Sequence, residues 1–116
     1  MKLAIVGGRD FDDYERLKAV VDRVKTPITL IVSGAAAGAD SLGEKYAREH
    51  SIPTLIHKAD WAKHGKRAGF LRNIDIINDA DCVIAFWDKI SKGTASSIEL
   101  ARKHNKPTHI VYYGEY

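Results

Sequence analysis

Three short stretches of this sequence combine glycine or alanine with a charged or hydroxyl side chain, the residue types that hold an anion. Gly7-Gly8-Arg9-Asp10 sets a pair of glycines, which allow close backbone approach, before a planar cation suited to phosphate or carboxylate. Ser33-Gly34-Ala35-Ala36-Ala37-Gly38-Ala39-Asp40 is small throughout and opens a helical pattern. Unpaired N–H groups and the helix dipole favour negative charge at such a place. Asp40 reads either as an N-cap or as an acceptor for a ribose hydroxyl. Gly93-Thr94-Ala95 repeats the arrangement, with open amides and a hydroxyl at the cap position. Arg72-Asn73 lies near the start of another helical pattern, where Arg72 either neutralises a ligand or pairs with Asp75 at i, i+3. Trp87 and Trp61 each offer a face on which a base can stack, or serve only for packing.

Other chemistries are missing from the pattern. Gly34 and Gly38 are four apart, which is not the dinucleotide fingerprint, and no Gly-Lys-Ser/Thr follows to make a Walker A loop. The histidines His50, His57, His64, His104 and His109 form no His-x-x-x-His pair, so no metal site and no bound cofactor is expected. There is no Gly-x-Ser-x-Gly elbow. Asp10, Asp60, Asp88 and Glu99 are the carboxylates within reach of the strand ends, and nothing in their spacing singles one out as an acid or base. Cys82 is the sole cysteine, which rules out an internal disulfide; its apolar run suggests a buried, inert thiol and a reducing cytoplasm. The net charge of +3 permits anionic small ligands and argues only weakly for nucleic acid.

These stretches need a scaffold, and the apolar pattern supplies one. With 116 residues, the chain has room for one domain, residues 1–116, that hides roughly two thirds of its unfolded surface. No apolar run approaches the ~20 residues of a membrane span, and Leu3 to Val6 is too short for a secretory signal. Five short apolar runs read as strands buried on both faces: Leu3–Val6, Ile28–Val32, Pro53–Ile56, Cys82–Phe86 and Thr108–Tyr112. Between them lie helical patterns near Asp12–Val24, Asp40–His50, Arg67–Asp79 and Thr94–His104, the third with Phe70, Leu71, Ile74 and Ile77 inward. Asp10 or Asp12 is the expected cap of the first. The stretch from His57 to Arg67 is long for such a connection and strongly basic, and reads either as a lid over an anion or as a solvated loop. Tyr112, Tyr113 and Tyr116 are placed to dock on the domain or on a partner.

Strict strand–helix alternation predicts an α/β fold: a doubly wound, Rossmann-like parallel sheet of order 3-2-1-4-5, with helices on both faces. Ligands of such sheets bind beyond the carboxyl ends of the strands where the order reverses, here between strands one and four. Every small-residue stretch above follows a strand.

Taken in order, these motifs resemble the SLOG superfamily, the Rossmann-like group that includes DprA/Smf and the LOG phosphoribohydrolases. The nearest likeness is to its small stand-alone YspA/YpsA-related members of bacteria and phages. The motifs are Gly7-Gly8-Arg9-Asp10, Ser33 to Asp40, Asp60-Trp61 through Arg72-Asn73, and Gly93-Thr94-Ala95. The resemblance implies a site for a nucleotide or nucleotide-derived ligand at Gly7, Gly8, Arg9, Gly34, Gly38, Asp40, Arg72, Asn73, Gly93 and Thr94. Asp10, Ser33, Ala39 and Trp87 join the candidate set by position. The resemblance also suggests a homodimer. LOG enzymes cleave the N-glycosidic bond of nucleoside monophosphates through a motif like Pro-Gly-Gly-x-Gly-Thr-x-x-Glu. Here the Pro-Gly-Gly is absent, Ser97 stands at the glutamate's place, and Glu99 is turned about 200° around the helix. The expectation is therefore a nucleotide-binding protein, with a nucleotide N-glycosidase and a single-stranded nucleic-acid module as alternatives.

Overall fold

The computed structural model describes residues 1–114; Glu115 and Tyr116, and with Tyr116 one of the docking tyrosines, lie outside it. The elements run β1 (Lys2–Gly7), α1 (Tyr14–Asp22), β2 (Leu30–Ser33), α2 (Ala39–Glu49), β3 (Thr54–Ile56), α3 (Trp61–His64), a 3-10 turn (Gly65–Arg67), α4 (Ala68–Asp79), β4 (Cys82–Trp87), α5 (Lys92–Lys103) and β5 (Thr108–Tyr112). The strands form a single parallel sheet in the order β3-β2-β1-β4-β5, as the alternation predicts. Leu3 pairs with Ile31 on one side and Cys82 on the other, which fixes β1 at the centre.

Because β1 and β4 are buried on both faces, their consecutive apolar residues feed two cores. Leu3, Ile5, Ile84 and Phe86 meet Leu17, Val21, Tyr46 and Ala47 of α1 and α2. Ala4, Val6, Val83 and Ala85 meet Ile76, Ile77, Ile98 and Ala101 of α4 and α5. Edge strand β3 departs from the two-faced reading, since Thr54 and Leu55 are exposed. It has a neighbour only in β2, and its three residues are too few to be covered from both sides.

Three local expectations change. The cap of α1 is Asp13, which accepts from Arg16 N, because Asp10 is engaged elsewhere by the Tyr113 hydroxyl. The basic connection after β3 is not a loose loop: Asp60 caps the short α3 through Lys63 N, and Gly65, at φ +57, turns the chain into the 3-10 turn. Phe70 lies on the Ile77 stripe but two turns nearer the rim, and is 48% exposed. No helix among the described residues is long and apolar enough to cross a membrane.

Candidate functional site

At the carboxyl ends of β1 and β4, where the strand order reverses, a polar cavity of about 470 Å³ opens. Four chain segments reach it: Gly7 to Asp10 after β1, Ala36 and Asp40 after β2, Arg72 and Asn73 on α4, and Asp88 to Ser97 around the start of α5. Arg9, Asp10, Asp40, Arg72, Asn73, Gly93 and Thr94, along with Gly7 and Gly8, thus converge as the sheet order requires.

The loop after β2 is organised by its own side chains. Asp40 is not an N-cap. Gly38 precedes the first helical residue, and Asp40 lies one position further in, almost fully buried. Its Oδ2 accepts from Gly34 N at 3.2 Å and Ala36 N at 3.3 Å. Arg72 Nη1 donates to Gly34 O at 2.7 Å, and its Nε to Asn73 Oδ1 at 3.1 Å, so Arg72 does not pair with Asp75. Burial raises the Asp40 carboxyl from 3.8 to about 6, against the pull of the two backbone donors and Arg72. Burial also lowers the affinity of Arg72 for its proton; Asp40 opposes this, and the like charge of Arg9 adds to it.

Two glycines are there because the backbones and side chains nearly touch. A Cβ on Gly34 would stand 2.8 Å from Asp40 Oδ2 and 2.9 Å from Arg72 Nη1. Gly38, at φ +78, lies so close to the first loop that a Cβ would stand 2.2 Å from Gly8 O. Ala39 N donates to that same carbonyl at 3.2 Å. Loops one and two therefore lock together at the rim. Tyr113 secures the first from the other side, its ring against Phe11 and its hydroxyl on Asp10 Oδ1.

The turn after β4 is built differently. Asp88 Oδ1 accepts from Ile90 N at 2.9 Å and Ser91 N at 2.7 Å, and these donors hold the carboxyl below its usual range. Ser91, not Thr94, is the cap of α5, with Thr94 N 3.4 Å from its Oγ. Lys92 N and Gly93 N have no partner among the described residues, and a Gly93 Cβ would meet open space. Arg9 likewise has no hydrogen-bond or ion-pair partner among the described residues and is exposed.

Some candidates lie outside the cavity. Ser33 is fully buried and donates to Glu44 Oε2 at 2.7 Å. Ala39 is buried in the core against α1 and β1. Gly34 faces a neighbouring cavity, and Gly38 sits between the two loops. Trp87 turns away: its Nε1 donates to Ser91 O, and its ring lines a different groove beside Tyr112. Conversely, Ser91 and Ser97 line the cavity with Thr94. Their three-residue spacing, 91-94-97, puts them on one face at the start of a helix, a signal present in the sequence. Among the described residues no group of His, Cys, Asp and Glu could hold a metal.

An all-parallel sheet of this order, with a polar cavity at its switch point, defines a Rossmann-like α/β protein with a crevice where ligands of such sheets bind. The family model described as YspA, cpYpsA-related SLOG family matches residues 1–64, from β1 through α3. The chain belongs to that family. It is similar to the Gene 61 protein of Mycobacterium phage D29, at 32% identity over 98% of this chain and 97% of that protein. No solved structure matches.

Proposed function

We propose that the crevice binds a nucleotide or nucleotide-derived small molecule, as a sensor or binding protein. One observation carries the reading: Arg9 and Arg72, two cations close enough to oppose each other, line the same cavity as the unpaired Gly93 amide. An anion between them relieves their repulsion and takes charge-assisted hydrogen bonds from both. Asn73, Thr94, Ser97 and the carboxylates around them suit the hydroxyls of a sugar. Membership of the SLOG family is consistent with such a ligand. Thermal shift with nucleoside mono-, di- and triphosphates at millimolar concentration tests it. Stabilisation by at least one, lost in Arg9→Ala, supports the reading; a flat response across the panel removes it.

Hydrolysis of an N-glycosidic bond is a second reading, favoured by Asp40. A buried carboxyl raised to about 6 beside a polar cavity is suited to move a proton, and it would have to take the part of the LOG glutamate, whose place Ser97 occupies. Release of free base from a nucleoside monophosphate, abolished in Asp40→Asn, is the discriminating result.

A further inference from the structure

The crevice has a neighbour. A second cavity of about 360 Å³ adjoins it, and Arg9 and Arg72, with Ala36, line both. Its remaining wall is the Gly34–Ala37 loop with Lys58, Ala59 and Trp61. The aromatic ring and the guanidinium are neighbours: Trp61 Cζ2 and Arg72 Nη2 both lie within 4 Å of where a Gly69 Cβ would stand. Trp61 is 53% exposed.

The two cavities differ in charge. The first holds Asp10, Asp40 and Asp88 beside the shared arginines. Among the described residues, each of these carboxylates takes its hydrogen bonds on one oxygen: Asp10 Oδ1, Asp40 Oδ2 and Asp88 Oδ1. The other oxygens remain to accept from hydroxyls, and they repel a phosphate placed deep among them. The second cavity adds Lys58 to the arginines and has no carboxylate on its wall. Negative charge is therefore most favourable on the ridge that both cavities share, a polyhydroxyl group in the first, and a flat ring against Trp61 in the second.

We propose that the two cavities form one site for a pyrophosphate-bridged, two-headed ligand of the nucleoside diphosphate sugar class. The sugar lies among the carboxylates of the first cavity, the bridge lies across Arg9 and Arg72, and the base stacks on Trp61. This rests on the nucleotide reading and deepens it, since a mononucleotide fills only one side of the ridge.

Calorimetry with ADP-glucose and UDP-glucose, set against AMP, UMP and glucose 1-phosphate, tests the proposal on the full chain. One two-headed compound is expected to bind tighter than either of its halves, and at least about tenfold tighter than glucose 1-phosphate, the size of effect that stacking one base supplies. The gain over glucose 1-phosphate should vanish in Trp61→Ala, shrink in Lys58→Ala, and return in Trp61→Phe. Trp61 is exposed, and unchanged urea midpoints will show that the fold survives each change. Halves that bind as tightly as the whole, or a gain over glucose 1-phosphate that persists in Trp61→Ala, overturn the proposal and leave the nucleotide reading standing. If no compound binds, both fall.

Discussion

The loop after β2 and the turn after β4 look alike on paper, glycine and alanine leading into a helix, yet they do opposite things with their backbones. In the first, Gly34 N, Ala36 N and Gly34 O are already partnered by Asp40 and Arg72, and Gly38 is pressed against Gly8. In the second, Lys92 N and Gly93 N stay open and Gly93 has free space around it. Small residues at a helix start therefore have two distinct causes. One is close packing of chain on chain; the other leaves amides and space open, as the proposed ligand requires.

Substitution at the two loops should separate these causes. Gly38→Ala has the largest expected effect, a loss of about 3 kcal/mol or more, because a side chain there meets both a positive φ and the Gly8 carbonyl. Urea denaturation measures it; a loss under about 1 kcal/mol would mean that the loops do not lock.

Asp40→Asn comes next, with the opposite sign. A carboxyl raised from 3.8 to about 6 holds its proton more tightly folded than unfolded. Its contribution to stability is thus greatest below about pH 4, declines as pH rises towards 6, and levels off above. A shift of that size corresponds to roughly 3 kcal/mol at neutral pH, an upper figure because the neutral amide accepts more weakly from Gly34 N and Ala36 N. The variant should gain stability relative to the native chain between pH 4 and 7, and the difference between their urea midpoints across that range reads it directly. A constant difference refutes the assignment.

Arg72→Ala and Arg9→Ala sharpen the contrast between a residue that serves both packing and ligand and one that serves ligand alone. Each should weaken nucleotide binding by about 1–3 kcal/mol. Only Arg72→Ala should also destabilise the apo protein, by about 1 kcal/mol, through loss of its bond to Gly34 O. Equal stability losses in both would show that Arg9 has a structural partner. Gly93→Ala should do least: within about 1 kcal/mol of native stability, and on the favourable side if anything, because alanine is the better helix former and meets no neighbour.

The sheet order and the four converging segments were legible because consecutive apolar runs and a strict alternation leave few ways to fold. What escaped was whatever depends on which atom a polar group finds. Asp40 is a plausible cap by position, but only contact between α2, α4 and the β2 loop shows it as the anchor of Gly34 and Ala36. Ser33 stands beside a glycine, as a ligand-binding serine would, and points into the interior towards Glu44. Trp87 ends the interior strand β4, and the alternation of side chains along a strand sends it to the α5 face instead of the crevice. Phe70 keeps the right helical phase and still emerges from the core, since periodicity reports direction and not how far the sheet extends.

The central placement of β1 has a consequence for how the protein comes into being. Leu3 finds Ile31 early, but Cys82 must be synthesised before its other edge is closed. A nascent chain thus carries a greasy ribbon with one bare side for most of its time on the ribosome, the circumstance in which wrong partners are met. Such distant pairings are slow to form. The mouth between β1 and β4 is created by this closure, so a chain halted before β4 has no crevice at all.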